Sequence, residues 1–163
     1  MSYQSTKVWG PISCAFRQAG ASHSHCRFVH GYGLTFKAVF EAKELDERNW
    51  VMDFGGLKPI KAWLEDTFDH RLVVSRHDPL LSEFRELEAH GACQITVLAN
   101  VGCEAFARHA GLYVQQWLND QEWNNAPGDV VKRFGHYAYN RVNLHSMECR
   151  EHENNSAIWI REP

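Results

Sequence analysis

From Leu34 the chain alternates. Leu34, Phe36, Ala38 and Phe40 fall on one side, and Thr35, Lys37, Val39 and Glu41 on the other. A period of two predicts a strand with one buried face. Upstream, Val8, Trp9, Ile12, Cys14 and Phe16 predict a first strand across residues 6–18, bent at Gly10-Pro11. Polar residues from Glu44 to Asn49 predict a turn, with residues 50–54 as a short extended return. After Gly55-Gly56 the period lengthens. Leu57, Ile60, Leu64 and Phe68 line one face of a predicted helix, and Pro59 sits in its first turn, where a missing N–H costs little. A shorter helix is predicted from Pro79 to Glu88, ended by Gly91, followed by a strand over residues 93–98. The second main helix spans roughly 103–118 and buries Phe106, Ala110, Tyr113, Val114 and Trp117. Residues 119–140 read as an irregular surface excursion. The chain then predicts a hairpin, with one arm from Val142 to about His152, a turn over Glu153–Asn155, and a second arm from Ser156 to Arg161. This order makes a single α+β domain over residues 1–163, an antiparallel sheet with helices on one face.

Composition narrows the class without naming a function. At 163 residues, 44% hydrophobic and 23% charged, the chain has the make-up of one globular domain. A net charge of −3 gives no basic footprint for nucleic acid or anionic lipid. No apolar run reaches membrane-spanning length, and the amino terminus carries no apolar signal core, so a cytoplasmic protein is expected. The cysteines are Cys14, Cys26, Cys93, Cys103 and Cys149, an odd number without paired spacing. Free thiols are expected, four as buried small hydrophobes and Cys26 as the exception.

The densest chemistry lies in residues 23–32, where His23, His25, Cys26 and His30 crowd ahead of Gly31 and Tyr32. Their spacing gives neither a helical face nor a strand alternation, so packing explains them poorly. Imidazoles are common metal ligands and a thiolate is the readiest protein nucleophile or base. A metal site beside an activatable thiol is one reading; a polar loop with one buried cysteine is the other. Asp69-His70 follows the apolar helix, and a carboxylate that holds an imidazole fixes its tautomer. Glu104 opens the second main helix, where a carboxylate also complements the dipole. Glu151 sits in a strand of apolar neighbours and can accept paired hydrogen bonds from an amidine-like N–H edge.

Together these residues resemble the 6-pyruvoyltetrahydropterin synthase and 6-carboxytetrahydropterin synthase family. Cys26-Arg27-Phe28-Val29-His30-Gly31-Tyr32 is similar to its Cys-x-x-x-His-Gly-His segment. Val51–Lys58 resembles its Ile-Asp-Phe-x-x-Leu-Lys segment, and Phe68-Asp69-His70 its Leu-Asp-His. Gly102-Cys103-Glu104 is similar to a Thr-Ser-Glu helix start, and Glu151-His152 to a late Glu-Thr pair. The resemblance runs from about Ile12 to Trp159. It implies a T-fold: a four-stranded antiparallel sheet with two main helices on one face, closing into an oligomeric barrel of three, four or six copies with active sites between subunits. It implies a small-molecule substrate, 7,8-dihydroneopterin triphosphate, that loses triphosphate by zinc-assisted acid/base catalysis. The carboxy-forming branch feeds 7-deazaguanine (queuosine) biosynthesis. Cys26 would take a proton, with Asp69 and His70 completing the relay. Glu151 would anchor the pterin, with Glu104 and Cys103 beside it.

The metal is where the pattern departs. The family holds it with one first-strand histidine and both imidazoles of His-Gly-His; the matching positions here are Phe16, His30 and Tyr32. The extra imidazoles His23 and His25 point to a rebuilt zinc site with His30. Cys26 favours the 6-carboxytetrahydropterin synthase type. The alternatives are a 6-pyruvoyltetrahydropterin synthase, another pterin- or purine-converting enzyme, and a non-catalytic pterin-binding module.

Overall fold

Leu34, Phe36, Ala38 and Phe40 are all fully buried, while Thr35, Lys37, Val39 and Glu41 keep partial access to water. The alternation therefore reports the sheet's two faces, in a computed structural model that describes residues 2–121 and 141–162. The second strand, β2, covers His30–Ala42 and pairs antiparallel with β1, Tyr3–Phe16. Their register shifts between Trp9 and Ile12, the predicted bend. Gly10 there adopts φ 125°, and a side chain would bring its Cβ to 2.6 Å from the Leu34 carbonyl, so only glycine fits.

A turn of 3-10 helix over Phe54–Leu57, capped by Asp53, leads into α1, Lys58–Phe68. Asp53 Oδ1 accepts from Gly55 N at 2.7 Å. Then come β3, Arg71–Ser75, and α2, Leu81–Ala89. Next are β4, Ile95–Leu98, and α3, Cys103–Asn119. The hairpin is β5, Val142–His152, and β6, Asn155–Ile160. The sheet order is β4-β3-β1-β2-β5-β6.

Two expectations change. The sheet has six strands rather than four, and it is mixed, because β3 pairs parallel with β1 and β4 parallel with β3. β3 has no polar alternation; Leu72, Val73 and Val74 form a short apolar run whose partners are distant in sequence. Residues 50–53 are not a strand: Val51 and Met52 are buried without joining the sheet. The excursion expected at 119–140 lies, from residue 122 onward, outside the described residues.

The core is a line of aromatic rings under α1 and α3. Phe36 meets Phe68 at 5.0 Å, Phe68 meets Phe106 at 5.2 Å, and Phe106 meets Phe16 at 5.0 Å between centroids. Trp63 of α1 stacks on Tyr113 of α3 at 3.9 Å. Arg17, just past β1, forks onto Asp78 with Nε at 2.9 Å and Nη2 at 2.6 Å. Burial alone would raise the Asp78 pKa, but Arg17 and the Leu80 N–H outweigh it and hold the carboxyl below its usual range. That pair ties the end of β1 to the chain entering α2.

α3 approaches β6 closely enough that a Cβ on Gly111 would lie 2.2 Å from a ring carbon of Trp159. Gly111→Ala is expected to destabilise the protein by about 1–3 kcal/mol through overpacking. The cost should shrink in a Trp159→Leu background, as a double-mutant cycle of denaturant midpoints will report. Equal costs in both backgrounds would refute the contact.

Candidate active site

Four of the residues singled out from sequence converge on one cavity of about 210 Å³. Cys26, Cys103, Glu104 and Glu151 line it together with Phe16, Gln18, Tyr32, Gly102 and the start of β6. Each arrives by a different local device. Cys26 sits in a short 3-10 turn, His25–Arg27, whose cap Ser24 Oγ accepts from Cys26 N at 3.2 Å. The Cys26 carbonyl accepts from Gln18 N at 2.7 Å, pinning the loop to the end of β1. Cys103 and Glu104 open α3 behind Gly102, whose φ of 114° and close approach to Gln18 require glycine. Glu151 is the extra residue where the β5–β6 register slips between Arg150 and His152. A bulge there turns one side chain out of the alternation, and this one faces the cavity.

The other expected residues stand elsewhere. Asp69 and His70 do not line this cavity within one chain. They do pair with each other, Asp69 Oδ2 to His70 Nδ1 at 3.0 Å, and Asp69 Oδ1 accepts from Ser13 N at 3.2 Å. The divergence usual for neighbours is overcome because His70 adopts a left-handed backbone, φ 55°. Its side chain is 82% exposed. His23, His25 and His30 are exposed, and among the described residues no three His, Cys, Asp or Glu side chains gather as a metal cage. The structure does not bring His23, His25 and His30 together as the rebuilt zinc site expected of them requires. The loop's cap and its bond to Gln18 spend its backbone on placing the thiol, not the imidazoles.

The sequence marks Phe16 as a strand residue and, with Tyr32, as a departure from the family's ligand pattern. In the fold they are cavity walls, with rings stacked at 4.0 Å and 14°. Burial, then the nearby Glu151, raises the Tyr32 pKa, so the phenol keeps its proton. Gln18 and Asn155–Ala157 were missed altogether; as turn and strand-edge residues they carry no chemical signature.

Cys103 also contacts Cys149, buried on β5. The Cys149 S–H donates to the Cys103 sulfur and lowers the Cys103 pKa against desolvation and against Glu151 and Glu104. The Cys149 pKa is raised by the same bond and by burial. The bond thus favours charge on the sulfur that faces the cavity over the one in the core. Burial pushes the Cys14 thiol up to about 12.

The family model described as 6-pyruvoyl tetrahydropterin synthase matches residues 10–162. The chain belongs to this family. A curated relative, the 6-carboxy-5,6,7,8-tetrahydropterin synthase of Rickettsia bellii (strain RML369-C), is 30% identical over 76 residues. That stretch is 46% of this chain, and the chain spans about half the relative's length, 54%. Among solved structures, an uncharacterized protein of Wolinella succinogenes superposes with a TM-score of 0.70 at 20% identity, covering 99% of both chains. The 6-pyruvoyl tetrahydropterin synthase of Caenorhabditis elegans gives 0.59 at 16% identity, over 99% of this chain and 97% of that one. These likenesses confirm the α+β T-fold. Among the described residues no helix is long and apolar enough to cross a membrane.

Within the tetrahydropterin synthase frame, Cys103 stands where a hydroxyl residue is expected, so its ionisation is open to test. Its alkylation by iodoacetamide, read residue by residue by mass spectrometry, should persist to lower pH than for an ordinary thiol. Cys149→Ala should raise the midpoint and Cys149→Ser should retain it, since a hydroxyl still donates. A midpoint unmoved by Cys149→Ala would show that the two sulfurs do not share a proton.

Proposed function

We propose that this protein converts 7,8-dihydroneopterin triphosphate with loss of triphosphate, as a lyase of the 6-carboxytetrahydropterin synthase type. The convergence of Cys26 and Glu151 on one cavity carries the reading, because the reaction needs a base and a pterin anchor within one substrate length. Glu151 accepts two hydrogen bonds from the N–H edge of the pterin ring, with Glu104 beside it. Elimination of triphosphate needs a proton removed from the side chain while the C–O bond to triphosphate breaks and the leaving group takes the electron pair. The Cys26 thiolate is the base for that proton.

Asp69 and His70 enter from a second copy of the chain. Two observations support this. The dyad is preformed yet exposed, and a 210 Å³ cavity is smaller than the roughly 300–1,000 Å³ usual for a complete ligand site. Among the described residues the cavity wall includes no Lys or Arg, so the triphosphate lies outside it, over the junction between copies. A binding module without turnover is the second reading. It is favoured by the aromatic pair at two of the family's ligand positions.

Cys26→Ala should abolish turnover and leave pterin affinity within a few-fold. His70→Ala should do likewise, and mixing the two inactive variants under conditions that exchange subunits should restore part of the activity, since some sites then combine an intact thiol with an intact dyad. No recovery from a confirmed mixed assembly would place the dyad outside the site. Glu151→Gln should weaken pterin binding by about 1.5–3 kcal/mol, the worth of a charged hydrogen bond. Undiminished affinity by fluorescence titration would move the anchor elsewhere. Product mass after incubation with the substrate separates a carboxyl product, a pyruvoyl product and no conversion.

A further inference from the structure

The positions at which the family holds its metal meet in space here, and their occupants do not suit a cation. Phe16 and His30 face each other across the β1–β2 register, and Tyr32 lies two residues along the same face. The Phe16 and Tyr32 ring centroids are 4.0 Å apart, and those of Tyr32 and His30 are 4.4 Å apart. Phenylalanine has no lone pair to give. A tyrosine phenol is not among the ligands zinc takes, which are thiolate, imidazole and carboxylate. His30 spends Nδ1–H on the Phe28 carbonyl at 2.9 Å, leaving one nitrogen. Catalytic zinc takes three protein ligands, and one imidazole falls well short. Neither His23 nor His25 comes to help, since among the described residues no three-donor cluster forms.

The seat is filled rather than empty. Phe16 is buried between Phe106 and Tyr32, so its ring closes the space from the core side. Tyr32, stacked on it, forms part of the cavity wall with Cys26, Cys103 and Glu151. We propose that the Phe16–Tyr32 pair replaces the metal in this chain, and that the Tyr32 hydroxyl donates to the side-chain oxygen of the bound pterin. The role requires no bond to form or break at Tyr32; its hydroxyl donates and holds the oxygen in place. Phe16 is the positioning residue, fixing the plane from which the hydroxyl reaches the cavity. The ligand in this assignment rests on the pterin reading above; the closed metal seat does not.

Two measurements on protein purified without a His tag test it. In zinc competition against a chromophoric chelator, the wild type should take up no tightly held zinc. Phe16→His/Tyr32→His, which restores three imidazoles, should take up one zinc per chain. Should that pair fail to give a native circular dichroism spectrum, Tyr32→His alone, with Phe16 left in the core, should still bind zinc more tightly than wild type. In fluorescence titrations, Tyr32→Phe should lose about five- to tenfold in affinity for neopterin, the scale of one hydrogen bond, while 6-methylpterin, which lacks the side-chain hydroxyls, binds as before. One tightly bound zinc in the wild type overturns the proposal, as do folded histidine variants that gain none. Equal neopterin affinity for Tyr32→Phe and wild type removes the hydroxyl's role while the pterin reading stands. If the wild type binds neither pterin, the pterin reading falls, and with it the Tyr32 role; the zinc measurement still decides whether the seat is closed.

Discussion

The antiparallel ladder between β1 and β2 is the constraint on which the site depends. It runs from Tyr3 opposite Ala42 to Phe16 opposite His30, with one shift at the Gly10-Pro11 bend. A slip of one residue would turn every side chain of β2 to the other face, exposing Leu34, Phe36, Ala38 and Phe40. Burying those four together costs the sheet any freedom in register, and the register then dictates what happens at its open end. Phe16, His30 and Tyr32 must share one face beside the cavity. The line of rings Phe36, Phe68, Phe106, Phe16 carries this order from the core to the cavity wall.

What that wall presents is acidic and thiol-rich: Glu104, Glu151, Cys26 and Cys103, with no Lys or Arg among the described residues. Such a lining favours a ligand edge that donates hydrogen bonds and repels an anionic tail. The two ends of a pterin triphosphate would thus be sorted by charge, ring inward and phosphates outward. Burial, reinforced by Glu151, raises the Tyr32 pKa, whereas the Cys149 S–H lowers the Cys103 pKa in opposition to that acidic lining. Cys103 and Cys149 are not independent groups; each titrates in the potential of the other.

Much of this was legible in the sequence because it is local. The alternation from Leu34, the 3.6 period through Ile60, Leu64 and Phe68, and the apolar face of α3 each declare their element without reference to the rest. Cys26 and Glu151 were legible as chemistry because their types are hard to explain as packing; Glu104 also suits a helix dipole, and Cys103 read as a small hydrophobe until the family resemblance placed it. β3 was not, since parallel pairing with β1 and β4 joins segments far apart in the chain and leaves no alternation to read. Nor was the fate of His23 and His25. Whether neighbouring imidazoles converge is decided by the Ser24 cap and the Gln18–Cys26 bond, and nothing in the composition of the loop encodes those. Phe16 and Tyr32 were visible as departures, but only the ladder shows that they stack.

His70 supplies the remaining step. A non-glycine residue with φ 55° holds about 1–3 kcal/mol of backbone strain, which persists only where surrounding contacts enforce it. Here they do: the Ser13 carbonyl accepts from His70 N at 2.6 Å, and Asp69 holds both the ring and the Ser13 N–H. An imidazole fixed in this way yet 82% exposed contributes little packing in its own chain. The strain is therefore hard to explain by the stability of one copy, whereas an oriented imidazole at a junction between copies would use every one of these contacts. Among the described residues the cavity lacks an imidazole and a complete wall, and the dyad lacks a cavity. Each is the shape of what the other is missing, and that complementarity favours an assembled enzyme over a solitary binding module.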